Sequence, residues 1–213
     1  MLESSVSTDI RIVYSDHELL VVDKPTRLLS QPGVGIDKKD SLITRLNLIY
    51  PTARIVHRLD WETSGLMVIA LNAASHRALS IQFQERQTAK TYIAVVHGHL
   101  ATAQGSVDAP LAANWNDKPR QITTPEGRPS LTHWRCLGFE GENSRVELKP
   151  VTGRSHQLRV HMLHIGHPML GDGLYAPEGV FAAAPRLLLH AAELGFTHPT
   201  RGDWMLHQSP VPF

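Results

Sequence analysis

One cysteine is all that this chain contains, so Cys136 has no partner for an internal disulfide, and nothing beside it resembles a metal-ligand set. That scarcity fits a reducing compartment and predicts the cytoplasm. No apolar run approaches the roughly 20 residues that a membrane-spanning helix needs. The opening Met1-Leu2-Glu3-Ser4-Ser5 lacks both the basic start and the apolar stretch of an export signal. A protein that is neither membrane-bound nor exported is therefore expected. Strong charge of one sign is also missing: the net is +1 at pH 7, which excludes a protein that coats nucleic acid indiscriminately. Nucleic-acid contact would have to come from local clusters, for which Arg54, Arg58, Arg77, Arg86, Lys90, Lys118, Arg120, Arg154 and Arg159 are the candidates. Glycine-rich phosphate loops of the dinucleotide or P-loop kind are absent. No nicotinamide, flavin or ATP cofactor is expected.

What the chain does have is ordinary globular composition, with 42% hydrophobic and 19% charged residues over 213 positions, enough to bury a sizeable core. The length is long for one domain and short for two. With no internal repeat, low-complexity tract or linker, a single domain spanning 1–213 is the natural reading. The thirteen histidines include a cluster at His156, His161, His164 and His167. Their spacings do not converge as those of a His-Glu-x-x-His zinc helix do, and no cysteine or carboxylate is close enough in sequence to complete a site. No metal is expected.

Along the chain, residues 10–14 and 19–22 read as a hairpin stopped by Lys24-Pro25, and residues 31–40, rich in breakers and charge, as a mobile arm. Ser41 can cap a short helix carrying Leu42, Leu46 and Ile49 on one face, and Asn72 can cap a longer one running to about Gln84. Residues 92–96 form a β-branched strand, and 131–137 with 144–149 a hairpin. A third helix is predicted over 152–166 with Leu158, Met162 and Ile165 as its apolar stripe. Two more strands flank the Thr200-Arg201-Gly202-Asp203 turn. Hairpins outnumber alternating strand and helix units, which predicts the α+β class with a mostly antiparallel sheet.

The candidate site is the turn His57-Arg58-Leu59-Asp60-Trp61-Glu62-Thr63-Ser64-Gly65, which leads straight into the apolar run from Leu66 to Leu71. A loop held by a strand can orient and partly desolvate a carboxylate. Asp and Ser also cap turns in every fold, so these residues alone leave a purely structural role open.

The same turn resembles the signature of the RluA-type pseudouridine synthases, His-Arg-Leu-Asp, two variable positions, then Thr-Ser-Gly. Four further blocks follow the family's order: Val21-Val22-Asp23-Lys24-Pro25, Lys90-Thr91-Tyr92-Ile93-Ala94, the stretch from Leu148 to His161 containing Thr152-Gly153-Arg154-Ser155-His156-Gln157, and Gly171-Asp172 with Leu187-Leu188-Leu189-His190-Ala191. The resemblance implies a mixed, largely antiparallel sheet with flanking helices, a central RNA-binding cleft and a single catalytic domain without an S4 module. It implies Asp60 as the essential carboxylate, Arg154 as the cation that keeps it ionised through a forked pair, and Tyr92 as the group that stacks on uracil and takes the C5 proton. Arg58 is implied to fill the space left by the extracted base. His57 either assists or is structural. Arg159, His156, Lys118 and Arg120 are expected to contact RNA, as is His161. Loops 31–40 and 113–129, the latter with Trp115 and Asn116, are expected to grip it.

Uridine isomerisation oxidises nothing and loses no group, so its stoichiometry demands no cofactor. The substrates implied are a tRNA anticodon stem-loop and a 23S rRNA stem-loop, acted on by a monomer in the cytoplasm. The alternatives are a synthase for ribosomal RNA only or for a different tRNA position, a hydrolase using Ser64 with His57 and Asp60, and a non-catalytic RNA-binding protein. The hydrolase lacks a Gly-x-Ser-x-Gly elbow. Trp61 and Glu62 fill the variable slots, where the indole either tunes the pocket or packs.

Overall fold

A computed structural model describes residues 10–35 and 38–213. The chain forms two compact units. One takes the chain up to Thr88 and returns for Leu194–Ser209; the other is Ala89–Glu193 with Pro210–Phe213.

In the first unit β1 (Arg11–Ser15) and β2 (Leu19–Lys24) form the expected hairpin. β2 pairs antiparallel with β4 (Ser64–Ala70), and the short β3 (Arg54–Ile55) joins the same strand. Every residue of β4 is buried, and its alternation sends Leu66, Val68 and Ala70 into a core with Leu19, Val21, Leu79 and Phe196. Ser41 caps α1 (Leu42–Asn47) through a capping box with Thr44, and Asn72 caps α2 (Ala73–Gln84) by accepting from Ser75 N. Ile49 lies beyond the end of α1 and is exposed, so the hidden face carries only Leu42 and Leu46. The arm expected at 31–40 is described apart from residues 36 and 37, which lie outside the described residues, as does the N-terminal segment 1–5.

The second unit is built on β5 (Ala89–His97), β6 (Gln104–Asp108), β9 (Leu131–Glu140) and β10 (Asn143–Pro150), in the order β5-β10-β9-β6 with antiparallel ladders. A separate two-stranded ribbon, β7 (Leu111–Ala113) and β8 (Gln121–Thr123), overlaps the segment 113–129 that the sequence predicts to be a loop. α3 (Gln157–His164) is half as long as predicted: residues 152–156 form a turn, because His156 adopts a left-handed φ of 55° that no helix can pass through. Its Leu158 and Met162 enter a core with Ala94, Val146, Leu148 and Trp134, and Ile165 packs against it. At Gly105, paired opposite Trp134, a Cβ would stand 2.6 Å from the indole, so the large ring is accommodated by the missing side chain. α4 (Glu178–Ala182) follows. β11 (Leu189–Thr197) gives residues 189–193 to this unit and 194–197 to the first, where β12 (Trp204–Gln208) pairs with it. The α+β class and the antiparallel pairing are as the sequence predicts.

Candidate active site

In the first unit the β2·β4 register sets Lys24 opposite Gly65, which brings the end of β2 beside the Asp60 turn. Lys24 has no exposed surface, and its Nζ donates to the carbonyls of Pro25 (2.9 Å), Leu28 (2.8 Å) and Trp61 (3.4 Å). Thr26 Oγ1 donates to Glu62 O at 2.6 Å, and Ser30 Oγ donates to Leu59 O at 2.8 Å while accepting Leu59 N–H at 3.1 Å. Three side chains, from the end of β2 and the loop after it, thus hold the backbone on both sides of Asp60, whose own carbonyl accepts Thr63 N–H. Asp60 is half-buried and Arg58 exposed on this turn. Trp61 is about half exposed.

Lys24 escaped notice in the sequence because a lysine beside a proline reads as a strand-ending surface residue. Lys24→Met preserves length and apolar bulk but leaves three carbonyls without their donor. A loss of about 2–3 kcal/mol in urea unfolding is expected, together with reduced turnover from a loosened Asp60 turn. An unchanged unfolding midpoint would show that the clamp contributes nothing.

His57 is structural in its ring contacts. Nε2 accepts Val68 N–H at 3.1 Å, and the ring stacks on Phe83 at 4.3 Å. Ser64 is 4% exposed within β4. With the serine inaccessible and that histidine nitrogen occupied, the hydrolase alternative fails.

In the second unit Tyr92 lies on β5 opposite Leu148, half-buried against the core. The turn carrying Arg154 is built by Gln157: its Oε1 accepts Thr152 Oγ1 (2.7 Å) and Arg154 N–H (3.0 Å), and its Nε2 donates to Leu131 O and Thr132 Oγ1, both at 3.0 Å. All four hydrogen-bonding positions of this buried amide are filled. Arg154 Nε is buried and has no hydrogen-bond partner among the described residues, an arrangement suited to an anion supplied by substrate or by a reacting carboxylate.

Two expected RNA contacts are corrected. Arg159 is 2% exposed, and its guanidinium forks onto the fully buried Asp172, Nε to Oδ2 at 2.8 Å and a terminal nitrogen to Oδ1 at 2.5 Å. It holds the segment 172–175 and cannot reach RNA. His161 is likewise fully buried. His161 Nε2 donates to the carbonyl Ala109 O at 3.0 Å, and since burial disfavours the charged ring, Nδ1 accepts from Thr132 Oγ1 at 2.9 Å. The ring is thereby fixed as the neutral Nε2-H form.

Burial also pushes the His161 pKa below its ordinary 6.5. The unfolded chain therefore binds that proton first, so the stability is fully present above about pH 6.5 and is lost as pH falls below it. Between about pH 7.5 and 5.5, urea unfolding of the native protein is expected to lose more stability than that of His161→Gln; equal losses would contradict the assignment.

Lys118, Arg120 and His156 sit near the surface of this unit. Lys118 Nζ lies 4.6 Å from the ring centroid of Trp115, which is 76% exposed at the tip of the β7–β8 ribbon. Arg120 pairs with Asp117 and donates from Nε to Leu174 O at 2.5 Å. His156 Nδ1 is 2.6 Å from Tyr175 Oη. The remaining clustered histidines point elsewhere: His164 Nδ1 meets Thr123 Oγ1 at 3.3 Å and His167 Nδ1 meets His97 O at 2.8 Å.

Comparison with known proteins places this architecture. Residues 18–164 match the family described as RNA pseudouridylate synthase. The chain is 49% identical to the dual-specificity RNA pseudouridine synthase RluA of Escherichia coli (strain K12), covering 95% of this chain and 93% of that protein. Identity to the Yersinia pestis protein of the same description is also 49%, over 95% and 99%. Among solved structures, human RNA pseudouridylate synthase domain containing 1 is similar with a TM-score of 0.82 at 32% identity, covering 100% of this chain and 87% of that one. On the family match and this breadth of identity, the chain belongs to the RNA pseudouridylate synthases.

Proposed function

We propose that this RNA pseudouridine synthase modifies a uridine in a tRNA anticodon stem-loop and one in a 23S rRNA stem-loop. The single observation that carries the dual substrate is the 49% identity, across 95% of the chain, to relatives described as dual-specificity. Asp60 is the catalytic carboxylate and Arg154 the cation that serves it. Tyr92 stacks on uracil and removes the C5 proton once the base has been rejoined through C5. The isomerisation breaks the bond from ribose C1′ to N1, forms the bond to C5, and exchanges the C5 proton for one on N1, so atoms balance without an added reactant. A stacked uridine hides its glycosidic bond, and exposed Arg58 offsets part of the unstacking cost of about a few kcal/mol by filling the gap. The clamped Asp60 turn supports this reading, since a reacting carboxylate has to be held in place.

Trp115 and Lys118, at the exposed tip of the β7–β8 ribbon, meet unpaired RNA bases by stacking and charge. The protein acts in the cytoplasm as a monomer. Among the described residues no helix is long and apolar enough to cross a membrane.

The test is a pseudouridine map of total RNA from cells with and without the gene. Loss of one tRNA site and one 23S site on deletion is expected, restored by the native gene and not by Asp60→Asn. Loss confined to ribosomal RNA would replace the dual assignment with the ribosomal one, and an unchanged map would overturn the substrate reading.

A further inference from the structure

The aromatic tip of the β7–β8 ribbon is mounted on a junction that sequence reading missed, centred on Tyr175. Its hydroxyl accepts Gln121 N–H, at the start of β8, at 2.8 Å and lies 2.6 Å from His156 Nδ1. With that lone pair occupied, the hydroxyl has its own proton to give to His156, two residues from Arg154 in the same turn. The ring stacks beneath the Arg159 guanidinium, 5.2 Å away. The backbone of 174 and 175 is pinned in turn by the buried Asp172, whose Oδ1 accepts Leu174 N–H at 2.9 Å and Tyr175 N–H at 3.1 Å. Leu174 O takes Arg120 Nε. A buried ion pair thus anchors a short segment that holds the ribbon's return strand on one side and the left-handed His156 of the Arg154 turn on the other.

We propose that Tyr175 is the positioning residue that registers the β7–β8 ribbon to the turn carrying Arg154, so that RNA gripped at the Trp115 tip is presented in the register which that turn requires. This rests on the RNA-contact reading of the ribbon given above. Without the hydroxyl, the ribbon samples other positions. Apparent affinity then falls in proportion to the competent fraction, while the bound complex, once formed, is native.

Tyr175→Phe keeps the ring and its place beneath Arg159 and removes only the hydroxyl. Steady-state kinetics on a transcribed tRNA anticodon stem-loop and on the 23S stem-loop found by the map are expected to show KM raised about five- to tenfold, as for the loss of one to two hydrogen bonds, with kcat within about twofold of native. In a Trp115→Ala background the same change is expected to raise KM less than about twofold, because the ribbon no longer has its grip to lose. A lowered kcat at unchanged KM, or a KM effect that is fully additive with Trp115→Ala, would overturn the proposal. Amide hydrogen exchange provides a readout that does not depend on turnover: residues 114–123 are expected to exchange faster in Tyr175→Phe, with the β5, β9 and β10 amides unchanged. If the native protein leaves both transcripts unmodified, the substrate reading fails, and unchanged exchange over 114–123 would separately sink the role of Tyr175.

Discussion

Asp60→Asn is expected to abolish turnover, by at least about 10⁴-fold, while the protein still folds and binds RNA with native affinity. The substitution keeps the volume of the side chain and removes its charge. It leaves untouched the bonds to the backbone carbonyls of the turn: Asp60 O to Thr63 N, Trp61 O to Lys24, Glu62 O to Thr26, Leu59 O to Ser30. A structural carboxylate would behave in the opposite way, lowering the unfolding midpoint and sparing catalysis in whatever fraction remained folded. Single-turnover pseudouridine formation measured beside filter binding of the same RNA separates the two. Retained turnover would refute the assignment of Asp60 as the catalytic carboxylate, and absence of turnover in the native protein as well, with RNA still bound, would favour a protein that only binds RNA.

Asp172→Ala is expected to cost about 3–5 kcal/mol, a large share of the 5–15 kcal/mol by which a domain is ordinarily stable. The reason is asymmetry. With its partner removed, the Arg159 guanidinium is left buried and unpaired, and the N–H groups of Leu174 and Tyr175 lose their acceptor. Replacing both charged residues, as Arg159→Met with Asp172→Leu, is expected to recover part of that loss, since a buried ion pair exchanged for apolar groups of similar size is often nearly neutral. Urea unfolding of the three proteins decides it, and a single-mutant cost below about 1 kcal/mol would mean the pair is not the anchor that the geometry describes. Gly171, just before this aspartate, has φ +70°, and a Cβ there would stand 1.8 Å from Arg186 O, so the approach to Asp172 tolerates only glycine.

The residues that succeeded and failed in the sequence reading differ in kind. The caps at Ser41 and Asn72 were legible because capping is local chemistry between a side chain and amides two or three residues on. The α3 boundary was not, because the left-handed His156 is accompanied by a contact with Tyr175, nineteen positions away, that periodicity does not see. The ribbon strands that overlap the predicted loop 113–129 are not legible, since each spans only three residues, too short for an alternation to register. Arg159 was the most misleading residue. An arginine in a helix reads as solvent-facing, and only the fold reveals that a buried carboxylate lies opposite it.

For the candidate site the division is similar. Contiguous motifs identified Asp60, Arg58, Tyr92 and Arg154 as residues to consider, and the chemistry of isomerisation said what a carboxylate among them would have to do. The clamp of Lys24, Thr26 and Ser30 on the Asp60 turn was invisible, because it joins residues 29 to 37 positions apart through a strand register.

By itself, then, the sequence determined the reaction class and the fold class and singled out Asp60 as the carboxylate to test, since these are written in local patterns and in motifs whose residues are adjacent in the chain. Only the tertiary structure decided which charged and polar side chains are buried and which meet solvent. Lys24, Arg159 and His161 became framework, and Trp115 and Lys118 were left at an exposed tip. Burial depends on what other parts of the chain lie opposite a residue, and that is a property of packing that no local pattern carries.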